Sequence, residues 1–271
     1  MKYKNLFVCL FIMLFFFSGT NCMSPSGHTV MVMENINAIW LNRWYVSEAI
    51  HRLHGEHTRD QLVLIRYYVD STEDHPFPRL SCKEAEERMK WYMTSDHGIP
   101  MTFFNGTEYI KGSIPNPDDD TMEGRIKAYK EFCEKKMTEV NARVPPITIW
   151  ASCKKSEAEN EYTLDVSVKA KATLSYSSLM LNIALVESNI PYSAINGEVM
   201  HFQVFREWIK PPEIKDTIGI PLNLSRFGDL FQKQFAFHLD TELYKKDLSI
   251  ILFVQDGETK TILQGLEIEP T

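Results

Sequence analysis

The hydrophobic pattern of this chain changes its grammar once. Up to about residue 143, helical and extended spacings alternate; from 147 onward nearly every segment reads with period two. In the first part, 28–36 alternates at Val30 and Val32 and predicts a strand. Residues 44–57 place Tyr45, Ala49, Ile50 and Leu53 on one helical face, with Gly55 as a natural end. Residues 61–69 form a continuous β-rich apolar run, the pattern of a strand buried on both faces. Two prolines make 74–78 a loop. Ser81 followed by Glu84 caps a helix predicted over 81–93. A strand over 100–104, the turn Asn105-Gly106 and a partner strand over 107–111 predict a hairpin. Three aspartates open a last helix, 118–140, whose apolar positions Met122, Ile126, Tyr129, Cys133 and Met137 keep helical spacing.

Strands alternating with helices, then a closing hairpin and helix, predict a thioredoxin-like α/β domain over 23–143, with 23–27 as a polar tether. Val144-Pro145-Pro146 ends that pattern. Beyond it, Tyr162, Leu164, Val166 and Val168 alternate with polar residues, and 181–186, 201–206, 235–239, 248–254 and 261–268 read as further strands. Asn196-Gly197 and Asp256-Gly257 are hairpin-type turns, and 225–230 hints at a short helix or loop. The 144–271 segment is therefore predicted to be an antiparallel Ig-like β-sandwich, with Phe202, Phe205, Trp208, Phe231, Phe235 and Phe237 in its core.

The extreme N-terminus belongs to neither domain. Lys2 and Lys4 precede an unbroken apolar run from residue 6 to 17, the length of a signal peptide and too short to span a bilayer. Ser18-Gly19-Thr20-Asn21-Cys22 follows, resembling a lipobox in which Cys22 is acylated. Export is expected, with residues 1–22 as the leader, and the alternative to a lipid anchor is plain cleavage to a periplasmic or secreted protein. The net charge of −7, from 29 basic and 36 acidic residues, argues against nucleic-acid binding, which needs a basic face.

Candidate chemistry is sparse. Phosphate-binding glycine loops, Gly-x-Ser-x-Gly, His-Glu-x-x-His and paired zinc cysteines do not occur. Without Cys9 and Cys22, three cysteines remain, and Cys133 and Cys153 flank the linker at a separation that permits pairing. Cys82 opens a predicted helix, where the helix end could lower its pKa and let it form a mixed disulfide, but a buried or idle thiol explains it better. His51, His54 and His57 recur every three residues beside Glu48 and Glu56, but the direction drifts around the helix, and a solvated face explains them better than a metal site. No cofactor is expected.

Several stretches carry a family resemblance. Glu34, Trp40, residues 86–92 (EERMKWY) and 98–106 (GIPMTFFNG) in the first half, with 181–187 (LNIALVE), 201–206 (HFQVFR) and 252–256 (LFVQD) in the second, resemble the Omp28 outer-membrane lipoprotein family over nearly the whole mature chain. The resemblance implies a thioredoxin-like domain plus a sandwich, a lipid anchor at Cys22 and an outer-membrane location. It also implies a cis-proline at Pro100 facing the redox positions. Leu41 and Trp44 occupy those two positions here, and neither can exchange disulfides. The expectation is a non-catalytic envelope lipoprotein that binds a protein or peptide partner, with Cys82 thiol–disulfide chemistry as the alternative.

Overall fold

A computed structural model describes residues 22–25, 27–41, 44–69, 82–92, 98–112, 114, 118–156, 160–214, 219–239 and 247–270. The leader before Cys22, the loop 74–78, Ser81, His75 and His97 lie outside the described residues. The first half runs β1 (Cys22–Met23), β2 (Met31–Asn37), α1 (Trp44–Glu56), β3 (Leu62–Tyr68), α2 (Lys83–Tyr92), β4 (Met101–Phe104), β5 (Glu108–Lys111) and α3 (Met122–Asn141). The second adds β6 (Ile147–Lys155), β7 (Glu161–Ala170), β8 (Leu179–Glu187), β9 (Ile190–Pro191), β10 (Met200–His201), β11 (Val204–Trp208), β12 (Ile220–Pro221), β13 (Leu230–His238), β14 (Leu248–Asp256) and β15 (Ile262–Ile268). This is an α/β thioredoxin-like unit followed by β-strands. The aspartates 118–120 stop short of α3, whose N-cap is Thr121, its side chain accepting from Gly124 N.

The two halves do not keep separate sheets. Parallel pairing of Val204 on β11 with Arg66 on β3, with Arg66 N donating to Gln203 O at 2.8 Å, joins them. The result is one mixed sheet in the order β15-β14-β8-β11-β3-β2-β4-β5, with β12 beside β8. A second sheet, β1-β6-β7-β13, is antiparallel throughout. It packs on one face of β8, β14 and β15, so the sandwich borrows half of its wall from the shared sheet. Further along that same face, α1 and α3 cover β2, β3 and β4.

The opposite face of the shared sheet curls around a common interior. Val32, Ile65 and Tyr67 from the first half pack there with Val186, Phe205, Trp208 and Phe253 from the second, under α2. Phe205 and Trp208 therefore fill this joint interior and not a core private to the sandwich, and Phe202 packs with α1 and α3. The curl brings β15 against β2. Gly265 makes room for it: a Cβ there would sit 2.5 Å from Val32 Cγ2. Side chains close the seam. Val30 N donates to Gln264 Oε1 at 2.8 Å, Val32 N to Asn105 Oδ1 at 2.8 Å, and Ile262 N to Asn105 O at 2.9 Å. Asn105 and Gly106 hold φ of +46° and +78° in the β4–β5 turn.

Two expectations are corrected. Residues 22–24 are not a free tether: Cys22 and Met23 pair with Ala151 and Trp150, and Ser24 is buried, exchanging bonds with Ile149. Cys133 and Cys153 lie buried in two different cores, which rules out their pairing. Of the two alternatives for 225–230, the structure has the loop: Asp229 Oδ2 accepts from the backbone N–H groups of Ser225 and Arg226, and Leu230 already belongs to β13.

Candidate functional site

The stretch that would carry redox chemistry lies where β2 ends and α1 begins. Leu41 follows a turn closed by its own N–H on Ala38 O at 3.2 Å, and Trp44 is the first residue of α1. The Ile99–Pro100 bond is cis, and Pro100 is buried. Since Met101 pairs with Ile36, Pro100 enters β4 beside Asn37, at the same end of the sheet. Asn37 connects this corner to α1, its Nδ2 donating to Ser47 Oγ at 3.2 Å.

A hairpin from the second half closes over this corner. β9 and β10 pair antiparallel, and the Asn196-Gly197 turn between them uses φ of +93° at Gly197. Asn196 N donates to Ile39 O at 3.2 Å, and Ile190 and Ala194 pack on Ile39, Tyr68 and Val204. The hairpin tip thus rests on the segment that leads into Leu41.

Ion pairing fastens it. Arg66, fully buried in β3, donates from Nη1 to Glu198 Oε1 at 2.8 Å and from Nη2 to Ser47 Oγ at 2.7 Å. Its guanidinium also lies 4.7 Å from the ring centroid of Phe202. Burial works against the charge on Glu198, but the adjacent Arg66 outweighs it and holds the carboxyl below its usual range. His201 completes the cluster. Its Nε2 lies 3.1 Å from Tyr192 O and must donate there, which leaves Nδ1 to accept from the Tyr68 hydroxyl at 3.0 Å. Burial drives the His201 pKa down and keeps that neutral tautomer.

Between helix and hairpin a cavity of about 270 Å³ remains. Trp44, Ser47, Glu48 and His51 line it from successive turns of one α1 face, and Glu198, Val199, Met200 and Phe202 from the hairpin. Two of its lining residues, Val199 and Met200, are exposed large hydrophobic residues. Such a surface offers contact area and orientation.

The three histidines of α1 do not converge. His51, in the cavity wall, and His54 lie tilted against Phe202, with centroids 4.2 Å and 6.2 Å away, and His57 lies 4.0 Å from Glu134. Among the described residues no group of three or more His, Cys, Asp and Glu gathers at metal-binding distance. Cys82 packs against the joint interior, and burial pushes its pKa up to about 12, outweighing the backbone donors at the helix start; this is the buried thiol favoured from the sequence. Sequence reasoning missed Arg66, Glu198 and Ser47. The Asn196-Gly197 turn was a legible signal for the hairpin; its landing place on Ile39 was not, because that contact spans the two halves.

No protein-family model matches the sequence, and no curated protein does. Among solved structures, the fold is similar to HBP35 of Porphyromonas gingivalis, with a TM-score of 0.63 and 19% identity over 92% of this chain and 79% of that one. A protein of Agrobacterium tumefaciens aligns over 90% of this chain and 96% of its own, at 14% identity and a TM-score of 0.49. A domain of the outer membrane lipoprotein Omp28 from Porphyromonas gingivalis aligns over 48% of this chain and 91% of its own, at 14% identity and a TM-score of 0.32. The likeness to HBP35 is one of fold.

Proposed function

We propose that this chain is a non-catalytic cell-envelope lipoprotein, anchored through Cys22 in the outer membrane, that binds a protein or peptide partner at the α1–hairpin surface. The observation that carries the binding site is the β9–β10 hairpin seated on Ile39, just before Leu41. The positions where a thioredoxin-like fold would run disulfide exchange carry Leu41 and Trp44, and a second-half hairpin fastened by Arg66 and Glu198 rests on the segment leading into them. What that arrangement leaves accessible is an apolar rim around a pocket, the composition of a recognition surface. The apolar leader and the family resemblance of the sequence support export and the anchor.

Three measurements test the reading. Fatty-acid label is expected in the wild type and absent from Cys22→Ser; equal labelling refutes the anchor. Insulin reduction by the purified protein is expected at the uncatalysed rate; turnover refutes the non-catalytic reading. A photo-crosslinker placed at Val199 in the native envelope is expected to give one discrete adduct that the same group at Lys127, on α3, does not give. Identical adducts, or none, refute the binding surface.

A further inference from the structure

Among the described residues, the four-stranded sheet ends in an edge that no strand covers. β13 pairs with β7 through nine consecutive residue pairs with no bulge, and it is the outermost strand of its sheet. The ladder direction can be read from its ends. Ala170 N donates to Asp229 O and Leu239 N donates to Asn160 O, both at 2.9 Å, so odd-numbered residues turn their backbone groups toward β7. By the same alternation, the N–H and C=O groups of Leu230, Gln232, Gln234, Ala236 and His238 point away from the sheet. Among the described residues no strand receives them. Edges this long are ordinarily shortened, bulged, broken by proline or loaded with charge. β13 has no proline, and its only Lys, Arg, Asp or Glu is Lys233. Beside it, Phe227 and Leu230 are 75% and 53% exposed.

We propose that β13 pairs antiparallel with β13 of a second copy of this chain, about a two-fold axis at Gln234, so that the two four-stranded sheets join edge to edge. The sequence LFQKQFAFH is close to self-complementary about that point. Even residues meet even residues, as the outward hydrogen-bonding groups require: Leu230 with His238, Gln232 with Ala236, Gln234 with itself. Odd residues then form the closer, non-hydrogen-bonded pairs on the core side. Phe231 meets Phe237, and Lys233 meets Phe235. Phe231 and Phe237 are only partly buried in the single chain, so their free flanks gain an aromatic partner. Within one chain Lys233 Nζ already lies 5.6 Å from the Phe235 ring centroid, a contact the pairing repeats across the axis. Lys233 also selects the register. An axis at residue 233 would set the lysine against its own copy, whereas the axis at 234 pairs all nine residues without a like-charge contact. The proposal is independent of the pocket between α1 and the hairpin.

Cysteine scanning with sedimentation tests it. In the proposed pair, Gln234 faces Gln234 at the spacing of a hydrogen-bonded pair, about 5.5 Å between Cα atoms, which a disulfide spans. Gln232 is displaced from its own copy by four residues, roughly 13 Å along the strand. Under mild oxidation, Gln234→Cys is expected to give a covalent dimer, and Gln232→Cys and the wild type are not. Sedimentation of the wild type is expected to show a concentration-dependent dimer, and Ala236→Pro, which removes only an outward N–H, is expected to shift it to monomer while keeping the far-UV spectrum. A wild type that sediments as a monomer at all concentrations, equal crosslinking at 232 and 234, or a Gln234→Cys protein that crosslinks only to a different chain would each overturn the self-pairing.

Discussion

Arg88 on α2 grips Glu34 on β2 with two parallel hydrogen bonds, Nε to Oε1 and Nη2 to Oε2, both 2.9 Å. Both residues are essentially fully buried. Tyr67 and Tyr92 add hydroxyl donors to the same carboxylate, and Gln255 of β14 accepts from Arg88 Nη2 at 2.8 Å. The guanidinium also faces the rings of Trp91, Trp208 and Phe253. One ion pair therefore binds α2, the first-half strands and the second-half strands together. Removing a single partner strands a buried charge, at a cost of about 3–5 kcal/mol. Arg88→Met and Glu34→Gln are each expected to lower urea-unfolding stability on that scale. The double variant should lose less than the sum, because the second change relieves the charge left by the first.

Local order was legible in the sequence where local physics decides it. The 3.6-residue spacing of Tyr45, Ala49, Ile50 and Leu53 placed α1 within one residue of its observed end. The unbroken apolar run after Gln61 marked a strand with both faces covered, and every residue of β3 is buried. What pairs with what was not legible. Nothing near Val204 announces that its strand will lie beside Arg66, 138 positions earlier, since period-two alternation describes a strand's faces and not its neighbours. Glu198 is likewise unreadable as a buried partner until Arg66 is seen beneath it. Cys82 shows the same limit: its place at the start of a helix was legible, but the burial that decides its pKa is a tertiary property.

The shared sheet makes a prediction about the apparent boundary at 143–144. A fragment of residues 23–143 would leave the β3 edge open and expose Ile65 and Tyr67, which Phe205 and Trp208 cover in the whole chain. It is expected to lack a cooperative thermal transition and a near-UV spectrum, whereas the full chain should unfold in one step. A 23–143 fragment that melts cooperatively would show that the halves are autonomous.

Gly265 tests the curl of the sheet separately. A methyl group there would sit 2.5 Å from Val32 Cγ2, so Gly265→Ala is expected to destabilise by about 1–3 kcal/mol through overpacking. The paired change Gly265→Ala with Val32→Ala should recover part of that loss if the β15–β2 contact is its source. Chemical denaturation of the three variants decides between this and a simple backbone effect.

Acid should loosen the hairpin in two stages. Burial holds the folded pKa of His201 below its free value of about 6.5, with Arg66 acting the same way and Glu198 opposing. The unfolded chain therefore binds more protons in the window just below 6.5, so stability is full above that pH and falls as pH drops through it. His54, also lowered chiefly by burial, contributes with the same sign. Glu198 acts later: its folded pKa lies below about 4.5, so its contribution persists above that value and is lost as pH falls further. Melting temperature is expected to decline between pH 7 and pH 5 and more steeply below pH 4.5. His201→Gln should flatten the upper part of that profile without removing it.

Cys82 provides a direct check on the non-catalytic reading at the level of one thiol. Its pKa is raised to about 12 chiefly by burial, with the Glu84 charge adding to it, while backbone donors from the start of α2 pull the other way. At pH 7.5 only a minute fraction is thiolate, the form that attacks disulfides and alkylating agents. Iodoacetamide labelling of Cys82 in the folded protein is expected to be far slower than that of a free cysteine at pH 7.5, and to rise steeply only toward pH 11. Labelling of the urea-unfolded chain should instead follow an ordinary thiol pKa near 8.5. Fast modification of the folded protein at neutral pH would mean an activated thiol and would reopen disulfide chemistry at the start of α2.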